Sequence, residues 1–362
     1  MSKLYFTVTN DLTYDQRMIR ICSSLSAAGY EVHLIGRTKR NAVPLQKMPY
    51  EQKRIRCFFQ KGFLFYAEFN IRLFFYLVFK KFDCICAIDL DTIIPCLLAS
   101  KLKKTKRIYD AHELFCEMKE VVSRPTIYRF WKWVERKTVP KFDCGYTVNG
   151  PIAEEFYRLY AKDYEVIRSI ARYNPPPIDN KKEKFILYQG AVNEGRCFET
   201  LIPAMKEVDC KLIICGDGNF MNQAQQLVRQ HQLDHKIIFM GMLPPAELKN
   251  ITNQAYIGTT LCEKDSLSTY LSLANRFFDY LHAYTPQLCV DFPVYHELNN
   301  IHEVGVLISD LSSASIAKAL NQLLQDEELW QKLHENCIKA AEKWNWQEEE
   351  KKLISFYNER IG

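Results

Sequence analysis

Several short segments of the 362-residue chain place charged or hydrogen-bonding side chains where an apolar run stops. In SLANRFFDY (272–280), Ser272 can cap an apolar helix whose first-turn amides would then face an anion such as a diphosphate. Arg276 adds a mobile cation there, and Asp279, one turn on from Asn275, offers a carboxylate to a ribose diol. An ordinary capped helix with a solvated aspartate has the same sequence. Arg196 closes GAVNEGR at the start of a helix, where a cation is misplaced unless an anion joins it. Gly216, Asp217 and Gly218 follow the run KLIIC; glycines there permit a tight turn and close backbone approach, though GDG is also a common turn.

A second group of candidates lies nearer the start. His112, with Glu113 beside it, ends the run RIYDAHEL and can donate a hydrogen bond to a ligand, or serve only the local structure. Asp11, Tyr14, Asp15 and Arg17 crowd the first polar stretch: contact with a ligand is one reading, a solvated loop with a helix-start carboxylate the other. Asp89 and Asp91 lack a neighbouring histidine and are expected to cap a helix rather than hold a metal.

The elements that must position these residues follow from periodicity. KLYFTVT, a polar loop, the helical run MIRICSSLSAAGY and EVHLIGR open a β-loop-α-β series, continued by strands at 83–88, 106–110 and 143–148 with helices at 69–80 and 92–101 and helical segments across 113–138. YNPPPIDNKKE (173–183) breaks all periodicity, since three prolines deny the backbone helix and ladder hydrogen bonds. A second series follows, from FILYQG through KLIIC, KIIFMG, AYIGTTL and PQLCVD to GVLIS, with helices between. The expected class is α/β: two doubly wound Rossmann-like domains, residues 1–172 and 184–340, joined by the linker 173–183. Their sheet edges are expected to face one cleft. An amphipathic segment, 341–362, is expected to pack back on the first domain.

Composition narrows the class further. Apolar residues are 48% and charged residues 25%, which excludes disordered and fibrous chains. No apolar run reaches the length of a membrane span, and the start lacks a signal-peptide pattern, so a cytosolic protein is expected. The 13 cysteines form no CxxC pair and read as small buried thiols. No GxGxxG follows a strand, which disfavours an oxidoreductase on the same architecture.

NDLTYDQR, AIDLDT, YDAHEL, LYQGAVNEGR, ICGDG, FMGMLP and SLANRFFDY, in this order and spacing, resemble glycosyltransferases of the GT-B fold, specifically family 4, almost end to end. The resemblance implies retaining, metal-independent transfer of a sugar from a nucleotide diphosphate sugar to a glycan or lipid-linked acceptor, as in surface polysaccharide or lipopolysaccharide synthesis. No cofactor is implied. The donor side would comprise Gly190, Arg196, Gly216, Asp217, Gly218, Gly241 and Met242 (the last two at the nucleobase), Ser272, Leu273, Asn275, Arg276 and Asp279. Asp11, Tyr14, Asp15, Arg17 and Glu113 would lie on the acceptor or donor-phosphate side, with His112 the catalytic residue against the transferred sugar. Two departures stand out. The first loop lacks the glycine pair common in relatives. Of the usual two glutamates, Asp279 stands for the second while Leu271 occupies the place of the first, leaving Glu263 as a substitute or a non-catalytic partner subunit as the alternative.

Charge is unevenly spread. Residues 1–175 hold 30 basic against 18 acidic residues, whereas 176–362 hold 18 against 25. The first half therefore faces something anionic, expected to be the acceptor or an anionic membrane surface; nucleic acid is not expected, since no recognition motif occurs. Lys61, Arg72, Lys80, Lys81, Lys101, Lys103, Lys104 and Lys106, with Phe63, Phe65 and Phe75, are the surface candidates. Packing of 61–82 against the sheet explains the same apolar residues.

Overall fold

The computed structural model describes every residue except 14, 41, 178–180 and 362. Two compact units form: Met1–Ser169 with Gln347–Gly362, and Ile170–Trp346. The division falls ahead of the prolines, because Ile170 is already buried in the second unit's core and the Tyr173 hydroxyl bonds that of Tyr284. Residues 178–180 of the expected linker lie outside the described residues.

The first unit carries a seven-stranded parallel sheet: β1 (Lys3–Thr7), β2 (Glu31–Arg37), β3 (Glu51–Ile55), β4 (Cys84–Ile88), β5 (Lys106–Ala111), β6 (Cys144–Thr147) and β7 (Tyr164–Val166), in the order 3-2-1-4-5-6-7. The second carries β8 (Glu183–Gln189), β9 (Lys211–Cys215), β10 (Ile237–Gly241), β11 (Ala255–Thr260), β12 (Gln287–Val290) and β13 (Gly305–Ile308), in the order 10-9-8-11-12-13. Both are doubly wound. The strand order reverses beside β1 and beside β8, and ligands of such sheets bind where the loops diverge from that reversal.

Central strands such as Cys84–Ile88 are buried along their whole length, as a sheet covered on both faces requires. Edge strand β3, EQKRI, is largely polar and lacks that signature. The helical segments expected across 113–138 are three. A single turn at Phe115–Glu117 and a short helix at Lys119–Val122 precede the helix Pro125–Thr138, whose proline sits where a missing N–H costs nothing.

The last helix, Trp346–Ile361, gives the first unit everything from Gln347 onward. Tyr357 is buried against Tyr146 and Phe6, Tyr30 donates to Asn358 at 2.7 Å, and Glu349 accepts from the Arg168 backbone at 2.8 Å and its guanidinium at 3.2 Å. Among the described residues, no helix is long and apolar enough to cross a membrane.

Candidate functional sites in the two units

In the second unit, the loops after β8, β9 and β10 are laced by backbone hydrogen bonds. Gly190 N–H donates to Cys215 O at 2.9 Å, Gly216 N–H to Gly241 O at 2.8 Å, and Val192 N–H to Asp217 O at 3.0 Å. Glycine is required twice. Gly216 has φ +146° and a Cβ there would lie 1.8 Å from Gly190 O; one on Gly218 would lie 2.3 Å from Val192 O. The sequence motif GDG is thus a packed junction of three loops. The segment after β11 closes the same crevice, since Glu263 N–H donates to Gly195 O at 2.9 Å.

The helix Asn275–His282 is pinned to β8 by Tyr280, whose hydroxyl donates to Leu187 O and accepts from Gln189 N–H, both at 3.0 Å. One turn earlier on that face lies Arg276. Its guanidinium is 8% exposed, 4.7 Å from the Tyr188 ring, and donates only to neutral oxygens at long range: Tyr188 Oη at 3.3 Å, Gln189 O at 3.5 Å and Leu261 O at 3.4 Å. Nε has no partner, and among the described residues no carboxylate forms an ion pair with it. Gly190 leaves room beside it; a Cβ there would come 3.3 Å from Nη1. A buried cation balanced only by neutral groups is costly, and an anion in the crevice would offset that cost.

Arg196 and Arg276 flank the same buried thiol: burial pushes the Cys262 pKa up, and the charges of both guanidiniums work against that rise. Arg196 directly precedes the helix Phe198–Ala204, whose N-cap Cys197 has φ +60° and no side-chain cap. Asp279 accepts from Gln189 Nε2 at 2.9 Å, and Gln189 Oε1 accepts from Thr252 at 2.6 Å. One expectation is corrected. Ser272 does not cap the helix: Ala274 stands at the N-cap without a side-chain bond, and the Ser272 hydroxyl donates to Thr269 O at 2.9 Å. The preceding turn, Leu267–Tyr270, is capped by Ser266 and ends against Ser272, so the serine closes that turn. Leu271 and Leu273 are half-buried, Asn275 and Glu263 exposed, and Met242 past Gly241 is exposed.

In the first unit, His112 is clamped by two carboxylates at the ends of β4 and β5. Its Nε2 lies 3.1 Å from Asp110 Oδ2, its Nδ1 3.6 Å from Asp89 Oδ2, and its backbone N–H donates to Asp89 Oδ1 at 2.9 Å. Burial works against charge on His112, but Asp110 and Asp89 outweigh it and push the pKa up to about 9. Burial pushes Asp89 up to about 8 against the pull of His112. Asp110 is buried too, yet Arg17 and His112 hold it below the usual carboxylate range. Asp110 beside its Nε2 thus favours the protonated form of His112. At 3.6 Å from Asp89 Oδ2, Nδ1 is too far for a hydrogen bond and keeps room for another partner.

Asp89 is not the helix cap that its position suggests; its backbone has φ +53° and its carboxylate serves His112. Asp91 accepts from Thr9, and its Oδ1 is buried without a partner among the described residues. Burial pushes Asp91 up to about 6. Arg17, expected at a ligand, is instead buried: it donates to Asp110 Oδ1 at 3.0 Å and to Ile167 O at 2.9 Å, and so positions Asp110. Asp15 caps the helix Gln16–Ala27 by accepting from Met18 N–H. Asp11 is paired with Arg54 at 2.6 Å rather than open to a ligand. Glu113 is half-buried, its pKa raised by burial, and Tyr14 lies outside the described residues. The sequence reading missed Arg17–Asp110 and Arg54–Asp11 as pairs; separations of 93 and 43 residues leave no local signal.

The family model of glycosyl transferases group 1 matches residues 172–344, nearly all of the second unit. Over 166 residues the chain is 26% identical to the N-acetylgalactosamine-N,N'-diacetylbacillosaminyl-diphospho-undecaprenol 4-alpha-N-acetylgalactosaminyltransferase of Campylobacter jejuni, covering 45% of this chain and 43% of that protein. The matches span less than half the length of the curated relatives. Sucrose-phosphate synthase from Thermosynechococcus elongatus superposes with a TM-score of 0.77 at 16% identity over 99% of both chains. Anabaena HepE, solved in complex with UDP-glucose, does so with 0.75 at 13% identity over 99% of this chain and 100% of its own. The chain thus has the GT-B glycosyltransferase fold, and its second unit matches the model of the glycosyl transferases group 1 family.

Proposed function

We propose that the protein is a retaining glycosyltransferase that moves a sugar from a nucleoside diphosphate sugar to a hydroxyl of a glycan or lipid-linked acceptor. The observation that carries this is Arg276, a buried cation at the strand-order reversal of the second sheet that, among the described residues, pairs with no carboxylate. The Anabaena relative's bound UDP-glucose and the diphospho-undecaprenol in the Campylobacter enzyme's name support the same donor and acceptor classes.

In this reading Arg276 and Arg196 steady the diphosphate as the bond from the anomeric carbon to its oxygen breaks. The acceptor oxygen attacks from the same face, and its proton passes to the departing phosphate oxygen. His112 donates through Nδ1 to a hydroxyl of the transferred sugar, and Asp279 takes the ribose. The reading calls on no metal or other cofactor, since guanidinium groups supply the positive charge. It places the protein in surface polysaccharide or lipopolysaccharide synthesis, at the cytoplasmic face of a membrane, within family 4. A non-catalytic subunit is the second reading, favoured by one observation: Leu271 stands where a carboxylate is usual and Glu263 is exposed.

His112→Ala is expected to lower turnover at least about tenfold, the loss of one transition-state hydrogen bond, while nucleoside diphosphate binding stays within about twofold. Steady-state rates beside calorimetric binding check this. Unchanged turnover would make His112 a purely structural residue, and a wild type that binds nucleotide but never transfers or hydrolyses sugar would favour the subunit.

A further inference from the structure

The helix Gly62–Val78 is apolar on two opposite faces, and the fold uses only one. Phe65, Phe69, Leu73 and Leu77, four apart, are buried. The opposite stripe, Leu64, Ile71 and Phe75, continues into Phe79 and is exposed, Phe75 at 57% and Phe79 at 82%. Phe65, a candidate for the surface by sequence, therefore belongs to the core. A helix apolar all round is stable in water only where both faces are covered. The patch extends beyond this helix: the Phe63 ring meets Phe130 edge-on at 6.1 Å, and Phe130 and Trp133 are exposed on the helix Pro125–Thr138, Trp133 at 58%.

Charge says what covers it. Lys80 and Lys81 are exposed at one end of the stripe, and Arg129, Arg136 and Lys137 are exposed beside Trp133. The same three cations, with Tyr128 and Lys132, line an open depression around Trp133 on that helix. Lys132 is held by Glu117 and Glu135, and Glu68, the acid on the apolar stripe, is already satisfied by the amides of Phe58 and Phe59 and by Arg72 at 2.8 Å. Lys106, another sequence candidate, is occupied by the Arg360 carbonyl. Aromatic side chains flanked by cations that form no ion pair among the described residues match the boundary between acyl chains and anionic headgroups.

We propose that this two-helix face docks the first unit on a bilayer leaflet rich in anionic lipid, with Phe75, Phe79 and Trp133 entering the acyl boundary and the cations meeting headgroup phosphates. It deepens the proposed function by locating a lipid-linked acceptor, but binding to vesicles is read without any transfer assay, so the two can fail separately.

The test is sedimentation with vesicles of phosphatidylcholine alone and of phosphatidylcholine mixed with phosphatidylglycerol. The wild type should pellet only with the mixed vesicles and be released as salt rises from about 0.1 M to about 0.5 M, where the screening length is halved or less. Phe75→Ser with Phe79→Ser should lower partitioning at least about tenfold, as expected for lost apolar insertion, while melting temperature and nucleoside diphosphate binding are retained. Trp fluorescence should be quenched by bromine-labelled acyl chains, and that quenching should fall in Trp133→Phe. Equal pelleting with neutral vesicles, or none with mixed ones, overturns the proposal. So does a lipid-free dimer, seen by light scattering, that the Phe75→Ser/Phe79→Ser change dissociates, because a second copy would then cover the face.

Discussion

Arg276→Met is expected to melt no lower than the wild type and yet to lose its response to nucleoside diphosphate. The two results have one cause. Without ligand, the guanidinium is buried among Tyr188 Oη, Gln189 O and Leu261 O at 3.3–3.5 Å, with Nε unpartnered. Replacing a buried, poorly compensated charge by an apolar side chain of similar length is often neutral or stabilising by about 1–4 kcal/mol. The loss of stacking on the Tyr188 ring, about 1–2 kcal/mol at a desolvated site, works against that gain. With diphosphate bound, the same guanidinium makes charge-assisted hydrogen bonds, and their removal costs about 1.5–3 kcal/mol, a loss of about 10- to 150-fold in affinity. Melting curves with and without ligand, with affinity by calorimetry, separate the effects. A variant that melts far below the wild type but keeps its ligand shift would make Arg276 structural.

The second large effect lies in the first unit. Asp110→Ala should destabilise by about 3–5 kcal/mol, because it strands the buried Arg17 and strips His112 of its nearest carboxylate. Arg17→Met combined with Asp110→Leu should recover much of that loss by removing both charges, so the pair should be strongly non-additive in denaturant melts. Additive effects would show that the pair is not the source of the stability.

Asp110→Asn supplies the pH arm. His112 has a folded pKa of about 9, above its ordinary 6.5, so its contribution is complete below pH 6.5 and is lost as pH rises through about 9. Asp89, raised to about 8, acts in the same direction. Lys182, lowered to about 7 by burial, acts in the opposite one, gaining stability as pH rises above 7. The wild type minus Asp110→Asn difference cancels Lys182 and should shrink between pH 6.5 and 9. A difference independent of pH would show that Asp110 does not hold the proton on His112.

Sequence carried the central strands and the glycine junctions because both are local. Runs such as KLIIC and CICAI can only be strands covered on both faces, and GDG after KLIIC marks a tight turn wherever it goes. The polar edge strand β3 carries no comparable run, and the helix Gly62–Val78, expected to begin at 69, starts earlier because Gly62–Glu68 is apolar enough to extend it. Which face of that helix is buried could not be read at all, since both are apolar. At the sites, residue types were legible and partners were not. His112 looks solitary in YDAHEL, but Asp89 reaches it from 23 residues away and Arg17 orients Asp110 from the far end of the unit. Ser272 misled because its pattern fits a helix cap while the turn at Ser266–Thr269 competes for the same hydroxyl.

The most direct measurement is calorimetric titration of the intact chain with a panel of nucleoside diphosphates, their nucleotide sugars and, beside them, a nicotinamide dinucleotide. At least one nucleoside diphosphate and its sugar conjugate should bind, the matching monophosphate should bind more weakly for want of the second phosphate, and Arg276→Met should remove the difference between them. Failure of every nucleoside diphosphate to bind, or binding of the dinucleotide alone, would contradict a sugar-nucleotide donor site in the second unit.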